Sequence, residues 1–497
     1  MDLRLSILIP TRNRRDLLAR TLGSLSRQSA PASSFEVVVA SDGSTDGTPE
    51  AVRELARSPE WAGRTLVCVE QEWAGASAAR NAALRAARGD TVLYLDDDTV
   101  ADPDLVSVHL ERHERGERGS EQVVLGLIVP EERPEAIHRM LRRWWLGHYE
   151  RLTGQTAPFT ATFTANMSLP RQAALDIGGL DEAMDYGEDV EFGYRLSKAG
   201  LRFAYEPRAV VRTRNPKPPE AVLRDLYRIG QGNTRIYRKH PETLRHLPLS
   251  AYGETSLRMR LVRSVLLAAS RVGALERAID RVFLGWAGSR LPLPIDRAAF
   301  DMVRDYYFWR GVRAETGGGS EWARIASAGV PVLVYHGVER QVSPESVRFT
   351  VSARRFALQM ALLKLMRYRV EPLHSLVAAW ESGALPAPRT AAITFDDGYR
   401  NNLTRAWPIL RRFGYPATLF LVTGFAGAAS AWDRHSLAGQ KPLMDWDEAR
   451  TLDGQGFRVE SHGVTHADLR EATAEQARRE IGESHRHIEE RLGRQAE

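Results

Sequence analysis

The 497-residue chain contains one cysteine, so no disulfide can form within it. That residue, Cys68, lies in the apolar run Thr65–Val69, where we expect it to serve as a small buried hydrophobic group. No stretch has the roughly eighteen uninterrupted apolar residues that a membrane span requires, and Met1–Arg4 leads directly into a predicted strand, leaving no room for a signal peptide. These absences predict a protein of a reducing compartment, and we expect it in the cytoplasm.

Charge and length set further bounds. The formal net charge of +5 comes from arginines spread along the chain, which permits weak attraction to anionic lipid or nucleotide. No module that combines basic and aromatic residues for RNA binding is recognisable, so we expect no nucleic-acid partner. The length predicts two to four domains, at roughly 100 to 200 residues each.

Apolar strands alternate with amphipathic helical segments along the N-terminal part. The predicted strands cover residues 3–10, 35–40, 66–69 and 91–95, and the predicted helices cover about 14–28, 48–57 and 75–89. This alternation is typical of βαβ units and predicts a parallel sheet covered on both faces.

Two predicted strands each run into an acidic cluster. Leu93–Leu95 precedes Asp96-Asp97-Asp98, and Ile393–Phe395 precedes Asp396-Asp397-Gly398. Strand ends in open α/β folds collect ligands, and adjacent carboxylates repel one another unless a cation or hydrogen bonds compensate them. Both clusters therefore suggest metal-dependent active sites, although a solvated turn after a strand is the simpler interpretation of either one alone.

Several N-terminal motifs occur in a recognisable order. They are Ile7–Asn13, Ser41–Asp46, Ala79-Arg80-Asn81, Asp96–Asp98 and Gly187–Phe192. Over about residues 1–215 the chain resembles the inverting family 2 glycosyltransferases, which have the nucleotide-diphospho-sugar transferase (GT-A) fold.

The resemblance implies a set of roles around a UDP-sugar. Thr11, Asp42 and Arg80 would hold the uridine nucleotide, Asp96 would contact the ribose, and Asp98 would bind the Mg²⁺ or Mn²⁺ on the diphosphate. Such a metal neutralises the charge that the leaving nucleoside diphosphate gains. The family often has a second aspartate where this chain has Ser41, which loosens the nucleotide assignment but not the fold.

By the same resemblance, Asp189 is the general base that deprotonates the acceptor hydroxyl. The alternative is that Glu188 and Asp189 only complement the dipole at the start of a helix over 190–198. Four aromatic residues precede this motif, Trp144, Trp145, His148 and Tyr149. They would form a sugar-stacking surface or simply pack the helix.

Between about residues 217 and 316 the pattern becomes helical. The apolar residues at helical spacing are Leu261, Val265, Ala268, Val272, Leu275, Ile279 and Val282, and the arginines around them are Arg258, Arg260, Arg263, Arg271, Arg277 and Arg281. A basic amphipathic segment of this kind can lie in the plane of a membrane. Packing of the apolar face on the catalytic domain is the favoured interpretation.

The last third returns to strands and helices, with predicted strands at 330–335, 391–395, 417–422 and 457–460. His462 and His466 follow the last of these strands, and together with Asp397 they can form a three-ligand metal site with positions left for water. Thr394–Gly398 with Ser461–His466 resembles the polysaccharide deacetylases of the NodB-homology group, and Val334–Val338 matches that family's opening strand. The resemblance implies that Asp397, His462 and His466 bind Zn²⁺ or a similar metal and that Asp396 is the base that activates water.

The deacetylase family's later motifs, an arginine that orients the base and a histidine that protonates the leaving amine, are absent from this sequence. Four strands of a barrel that needs about seven cannot close, and an open parallel edge is unstable. We therefore expect a fragment of a longer protein or, if the chain is complete, an impaired domain stabilised by the helical region or by self-association.

The combined prediction is an α/β protein with a GT-A domain at 1–215, a helical extension and linker at 216–320, and an incomplete NodB-type partial (β/α) barrel at 321–497. Its predicted function is transfer of a sugar from a UDP-sugar to a glycan or lipid-linked acceptor, coupled to metal-dependent N-deacetylation in polysaccharide biosynthesis. We expect a cytoplasmic location with peripheral contact at the inner face of the membrane. Two alternatives stay open: deacetylation as the principal activity beside a substrate-positioning transferase-like domain, or an inert glycan-binding scaffold.

Overall fold

A computed structural model of the chain describes residues 3–114, 122–214, 217–253, 257–290, 293–326, 330–342, 349–381, 386–387, 389–435 and 439–496. It contains two compact units. The first comprises Met1–Pro248 with Ser256–Gly319, and the second comprises Leu249–Thr255 with Ser320–Glu497. The predicted boundary between 215 and 216 falls outside the described residues.

An eight-stranded sheet organises the first unit. Its strands are β1 Leu5–Thr11, β2 Phe35–Asp42, β3 Thr65–Gln71, β4 Thr91–Leu95, β5 Thr99–Ala101, β6 Gln122–Val129, β7 Asn166–Pro170 and β8 Arg202–Thr213. The order across the sheet is β3-β2-β1-β4-β7-β6-β8-β5. The N-terminal strands β3, β2, β1 and β4 run parallel, as predicted, whereas β7 is antiparallel to both of its neighbours and β5 is antiparallel to β8.

Helices cover this sheet because its central strands are apolar on both faces. Every residue of β1, β2 and β4 is buried, which is the pattern of parallel strands enclosed on two sides. The helices of the first unit are α1 Arg15–Leu25, α2 Thr48–Ala56, α3 Ala76–Ala86, α4 Leu105–Glu114, α5 Ala136–Leu152, α6 Arg171–Asp176, α7 Glu188–Lys198, α8 Pro219–Lys239, α9 Leu257–Ala269, α10 Gly273–Ala287 and α11 Leu293–Glu315.

The middle helices belong to the first unit. Helix α11 packs along α8, and both α10 and α11 contact α5. At Gly230 and Gly311 the backbones of α8 and α11 are so close that a Cβ would lie within 2.1 Å of the facing carbonyl oxygen. The middle helices therefore pack on the first unit through α5 and α8.

The apolar face predicted for that packing is wrong for α9 and α10. The structure exposes Leu261, Val265, Val272, Leu275 and Val282, each by 49–68%. The buried face contains Leu267, Phe283, Trp286 and Ala287 together with Arg263. Arg263, Glu276 and Asp280 face inward because each forms an ion pair with α11. The spacing of apolar residues does not reveal such pairs, and it therefore predicted the wrong side as buried. The side chain of Arg258 lies outside the described residues.

The second unit contains a smaller parallel sheet. Its strands are β9 Val332–Tyr335, β10 Gly337–Glu339, β11 Thr350–Ser352, β12 Arg369–Val370, β13 Thr390–Phe395, β14 Ala417–Leu421 and β15 Phe457–Ser461, and its helices are α12 Ser320–Ala326, α13 Ala353–Leu365, α14 Leu373–Glu381, α15 Trp407–Phe413, α16 Trp446–Asp453 and α17 Ala474–Leu492. The main sheet has the order β12-β13-β14-β15 with β9 also paired to β13, and β10 pairs with β11 separately. Among the described strands this sheet stays open, and Val332 and Val334 on β9 remain exposed. Across the described ranges of both units, no helix combines the length and the apolar character needed to cross a bilayer.

Candidate active sites

The first acidic cluster lies at the carboxyl ends of β4 and β1, which are neighbours in the sheet. The Thr11 hydroxyl donates to Oδ2 of Asp97 at 2.8 Å. Arg14, just before α1, contacts both Asp97 and Asp98, with its Nη2 3.0 Å from Oδ2 of Asp98. The guanidinium of Arg14 therefore compensates two adjacent carboxylates in the turn that follows β4.

Two carboxylates of this cluster, Asp97 and Asp98, have raised pKa values. Burial raises the pKa of Asp97 to about 6, although Arg14 and Thr11 oppose the shift. Burial and the charge of Asp96 also raise the pKa of Asp98, and Arg14 offsets this only in part. A bound cation would favour the charged forms of both groups.

Arg80 joins the acidic cluster to α7. Its Nη2 lies 2.8 Å from Asp96 Oδ1, and its Nη1 lies 3.5 Å from Glu188 Oε1. The side chain is buried, which disfavours its charge, but the carboxylates of Asp96 and Glu188 outweigh burial and raise its pKa. Nε and Nη1 are buried without a hydrogen-bond acceptor. Such orphaned donors are costly unless a ligand oxygen satisfies them.

Asp189 lies in the first turn of α7, beside Glu188. Burial, followed by the charge of Glu188, raises its pKa to about 7, while Arg80 opposes this shift. Its Oδ1 accepts the backbone N–H of Val190 at 2.8 Å. The helix thus holds a carboxylate that is half ionised near neutral pH, the range suited to a general base.

Asp42 is placed differently from the other predicted nucleotide-binding residues. It ends β2, and its carboxylate accepts the amide of Gln71 and the backbone N–H groups of Ala74 and Gly75 at 2.8–2.9 Å. These bonds fasten the loop that leads into α3 and hence to Arg80. Asp42 makes no contact with the acidic cluster among the hydrogen bonds and ion pairs of the described residues, so its nucleotide-binding role stays a prediction.

The aromatic residues of α5 mostly pack the helix. Tyr149 is buried and stacks on Tyr205, with ring centroids 5.3 Å apart. Trp145 packs edge to face on Phe163 and lies against the core. Trp144 stacks on His148, which precedes Tyr149 on the same helix. For Trp145 and Tyr149 the structure supports the packing interpretation.

The second acidic cluster does assemble a candidate metal centre. Ligand atoms of Asp397, His462 and His466 all lie within 4.8 Å of one another. Nε2 of His466 is 3.1 Å and Nε2 of His462 is 3.6 Å from Asp397 Oδ1. That oxygen is buried, and neither imidazole donates to it with hydrogen-bond geometry. A carboxylate and two imidazoles around one point fit Zn²⁺ or a similar divalent metal.

Electrostatics in this centre differ from those of the first. Burial opposes ionisation of Asp397, but His466 and the other imidazoles outweigh it and lower its pKa. Asp396 shows the reverse: burial raises its pKa despite the nearby imidazoles. Its Oδ2 lies 4.0 Å from Nε2 of His336, a residue at the end of β9 that the sequence analysis assigned only to the opening strand.

Local backbone geometry presents these ligands. Asp397 and His466 both adopt left-handed conformations, with φ of 73° and 61°, which cost of order 1–3 kcal/mol each and cluster at functional sites. Glu480 of α17 accepts the backbone N–H groups of Val464 and Thr465 at 2.7 and 2.9 Å. It therefore anchors the loop that carries both histidines.

Several residues of these sites had no functional role predicted from the sequence: Arg14, Glu188, His336, Trp432 and Glu480. Trp432 stacks on His466, with ring centroids 4.4 Å apart and an interplanar angle of 19°. For Arg14 a signal existed, since it closely follows the strand that ends at Thr11; for Trp432 and Glu480 no local pattern indicates the contact.

The first unit thus has an acidic cluster at the strand ends of a mainly parallel sheet, and the second has a candidate metal centre at the corresponding place in its own sheet. The Glycosyl transferase family 2 profile matches residues 6–177, and the Polysaccharide deacetylase profile matches residues 385–497. The chain therefore contains a family 2 glycosyltransferase domain at its N-terminal end and a polysaccharide deacetylase domain at its C-terminal end. The second match includes Asp396, Asp397, His462 and His466, whereas Asp189 lies beyond the first.

Relatives are known for each domain separately. Validoxylamine A glucosyltransferase of Streptomyces hygroscopicus subsp. jinggangensis is 34% identical over 274 residues, which cover 49% of this chain and 62% of that protein. The putative polysaccharide deacetylase YxkH of Bacillus subtilis is 26% identical over 166 residues, covering 33% and 53%. The chain thus spans less than two thirds of either relative. The structure of mannosyltransferase PcManGT from Pyrobaculum calidifontis, in complex with GDP-Man and Mn²⁺, covers 64% of this chain and 89% of its own at 20% identity and a TM-score of 0.45.

Proposed function

We propose that the first unit transfers a sugar from a UDP-sugar to a glycan or lipid-linked acceptor, and that the second removes N-acetyl groups from a related glycan. One observation carries the proposal: buried polar atoms without a hydrogen-bond partner lie beside the acidic cluster of each unit. In the first these are two donors of Arg80, and in the second Oδ1 of Asp397. Donors suit the oxygens of a nucleotide diphosphate, and a carboxylate facing imidazoles suits a metal.

In the transferase site, the oxygen of the acceptor hydroxyl attacks the anomeric carbon of the donor sugar. Asp189 accepts the proton of that hydroxyl. The bond from that carbon to the UDP oxygen breaks, and the configuration inverts. Arg80 binds the nucleotide, Thr11 and Asp42 contribute to the nucleotide pocket, and Asp96 contacts the ribose. Asp98 would hold Mg²⁺ or Mn²⁺, which when bound would neutralise the negative charge of the leaving diphosphate.

In the deacetylase site, Asp396 accepts a proton from the water that attacks the N-acetyl carbonyl. Asp397, His462 and His466 would hold a divalent metal, which when bound would polarise that carbonyl. His336 helps to keep Asp396 charged, since its imidazole opposes the rise in the pKa of Asp396. The C–N bond then breaks as the proton held by Asp396 passes to the leaving nitrogen, which gives acetate and a free amine on the sugar.

An assay of UDP release tests the proposed sugar transfer by the first unit. UDP release by the full chain is measured with Mn²⁺ or Mg²⁺ across a panel of UDP-sugars, for wild type, Asp98→Ala and Asp189→Asn. Release that needs both aspartates supports transfer. Binding of UDP without release from any donor, with acceptors supplied, would favour the inert scaffold.

Acetate release from N-acetylglucosamine oligomers, with Zn²⁺ and with chelator, tests the second half independently. Acetate release without UDP release would leave deacetylation as the principal activity. We place the reaction in the cytoplasm, with contact at the inner face of the membrane, where a lipid-linked acceptor would be reached.

A further inference from the structure

The outer face of α9 and α10 is an unusual surface. Five aliphatic side chains that point to solvent recur along it, Leu261, Val265, Val272, Leu275 and Val282, and four of them are more than half exposed. Leu261 and Val265 lie four residues apart on α9, and Leu275 and Val282 lie seven apart on α10, so each pair shares one side of its helix. Val272 lies in the turn between the two helices. We call this set, with the arginines beside it, the α9–α10 face. Several exposed aliphatic side chains on neighbouring helices are typical of an interaction site.

Charge on these two helices is segregated. Arg271, Arg277 and Arg281 are exposed beside the aliphatic residues. The two carboxylates of residues 257–290, Glu276 and Asp280, instead contact Arg310 of α11, with Asp280 Oδ1 2.8 Å from its Nη1. The α9–α10 face therefore combines aliphatic groups with positive charge, while the negative charge is bound on the other side.

The inward side explains why these helices hold this orientation. Arg263 is fully buried and lies 3.0 Å from Asp305 of α11. Phe283, Trp286 and Ala287 are buried on the inner side of α10. Rotating α10 would expose its buried aromatic groups and separate Glu276 and Asp280 from Arg310. Rotating α9 would separate the buried Arg263 from Asp305 and leave its charge without a partner. The exposure of the α9–α10 face is thus fixed by the packing of the unit.

We infer that the α9–α10 face docks on an anionic lipid surface. Aliphatic side chains enter the boundary between headgroups and acyl chains, and arginines pair with lipid phosphates. A second copy of the same face would bring like charges together, which disfavours a symmetric dimer through it. The α9–α10 face would thus make the membrane contact proposed above, with anionic lipid as its partner. Only the advantage of lying close to a lipid-linked acceptor rests on the proposed function.

Vesicle flotation tests the inference on the full chain without donor or acceptor, so its result is independent of UDP release. Vesicles of phosphatidylcholine are compared with equal mixtures of phosphatidylcholine and phosphatidylglycerol. We expect flotation with the anionic vesicles, and loss of about tenfold or more in affinity for Arg277→Glu combined with Arg281→Glu. Leu261→Glu combined with Val282→Glu should also weaken flotation, and added salt should reduce binding.

Two matched controls separate the α9–α10 face from general effects. Arg27→Glu combined with Arg57→Glu makes the same charge change on exposed arginines elsewhere in the first unit, and Leu358→Glu changes an exposed leucine of the second unit. Both should float like wild type. No flotation of the wild type, equal loss with the control variants, or a concentration-dependent dimer abolished by Leu261→Glu would overturn the inference. Circular dichroism checks that each variant is folded.

Discussion

The two acidic clusters occupy the same position in their sheets but have opposite electrostatics. In the first, burial raises the pKa of Asp97 to about 6, and arginines provide the compensating charge. In the second, imidazoles lower the pKa of Asp397. An arginine cannot coordinate a metal, whereas a neutral imidazole can. The same strand-to-aspartate motif therefore suits a phosphate-rich ligand in one unit and a protein-held metal in the other.

The sharpest way to break this comparison is to remove a ligand from the second cluster. Asp397→Ala deletes the carboxylate that both imidazoles face, so Zn²⁺ affinity should fall by more than about 100-fold, beyond the cost of losing an outer partner. Isothermal titration of the metal-free chain with Zn²⁺ measures it. His485→Ala, on α17, is the matched control. Unchanged affinity in Asp397→Ala would show that the three side chains do not hold the metal.

A comparable change of Asp189, in helix α7 beside the first acidic cluster, should affect turnover and not metal binding. Asp189→Asn keeps the side-chain shape but cannot accept a proton, and loss of a general base costs about 10²–10⁴-fold in kcat. In the wild type, the rate of UDP release should rise with pH through about 7, because the base is active only when deprotonated. Asp185→Asn alters an exposed aspartate nearby and should retain activity. A wild-type rate that does not change from about pH 5.5 to about pH 8.5, a range on both sides of the pKa of Asp189, would argue against Asp189 as the general base.

A smaller effect is expected from the residue that positions the histidine loop. Glu480→Ala removes the acceptor of two backbone N–H groups, and Zn²⁺ affinity should fall by about 10–100-fold as the loop loosens. Glu480→Gln retains one amide oxygen and should recover part of the affinity. Glu475→Ala, in the first turn of the same helix, is the control. If Glu480→Ala lowered thermal stability while leaving Zn²⁺ affinity intact, the positioning role would be wrong.

The strand-to-aspartate pattern was predictable because both strands are continuous apolar runs that end in charge. Strand β4 has the predicted bounds, and β13 begins one residue earlier than predicted. His462 and His466 were also predictable, since their spacing is local. The partner Glu480 was not, because it reaches the histidine loop from helix α17 and no local pattern indicates the contact.

The α9 and α10 helices show where apolar periodicity fails. Their spacing identified a true common face, yet that face is exposed because Arg263, Glu276 and Asp280 find ion-pair partners inside the unit. The antiparallel strands β5 and β7 were likewise not predicted, since they are short and carry no alternation that a single sequence reveals. Pairing between distant residues decides both outcomes.

The smallest predicted effect sharpens the electrostatic contrast itself. The pKa of Asp97 rises from an ordinary 3.8 to about 6 on folding, so the folded state favours its neutral form. This contribution to stability is fully present below pH 3.8 and is lost as pH rises through about 6. Asp97→Asn keeps the side chain neutral, so it should match wild type near pH 4.

Near pH 7, Asp97→Asn should be more stable than wild type by about 1–3 kcal/mol. A rise in the pKa of Asp97 from 3.8 to about 6 lowers the free energy of unfolding of the wild type by that order when the carboxylate is charged. Hydrogen exchange of the backbone amides in β1 and β4, compared between variant and wild type at each pH, reports the local free energy of opening. Asp102→Asn, in the loop before α4, controls for loss of charge. A stability difference that is independent of pH would mean that Arg14 fully compensates Asp97, and the contrast between the two clusters would then rest on their ligand types alone.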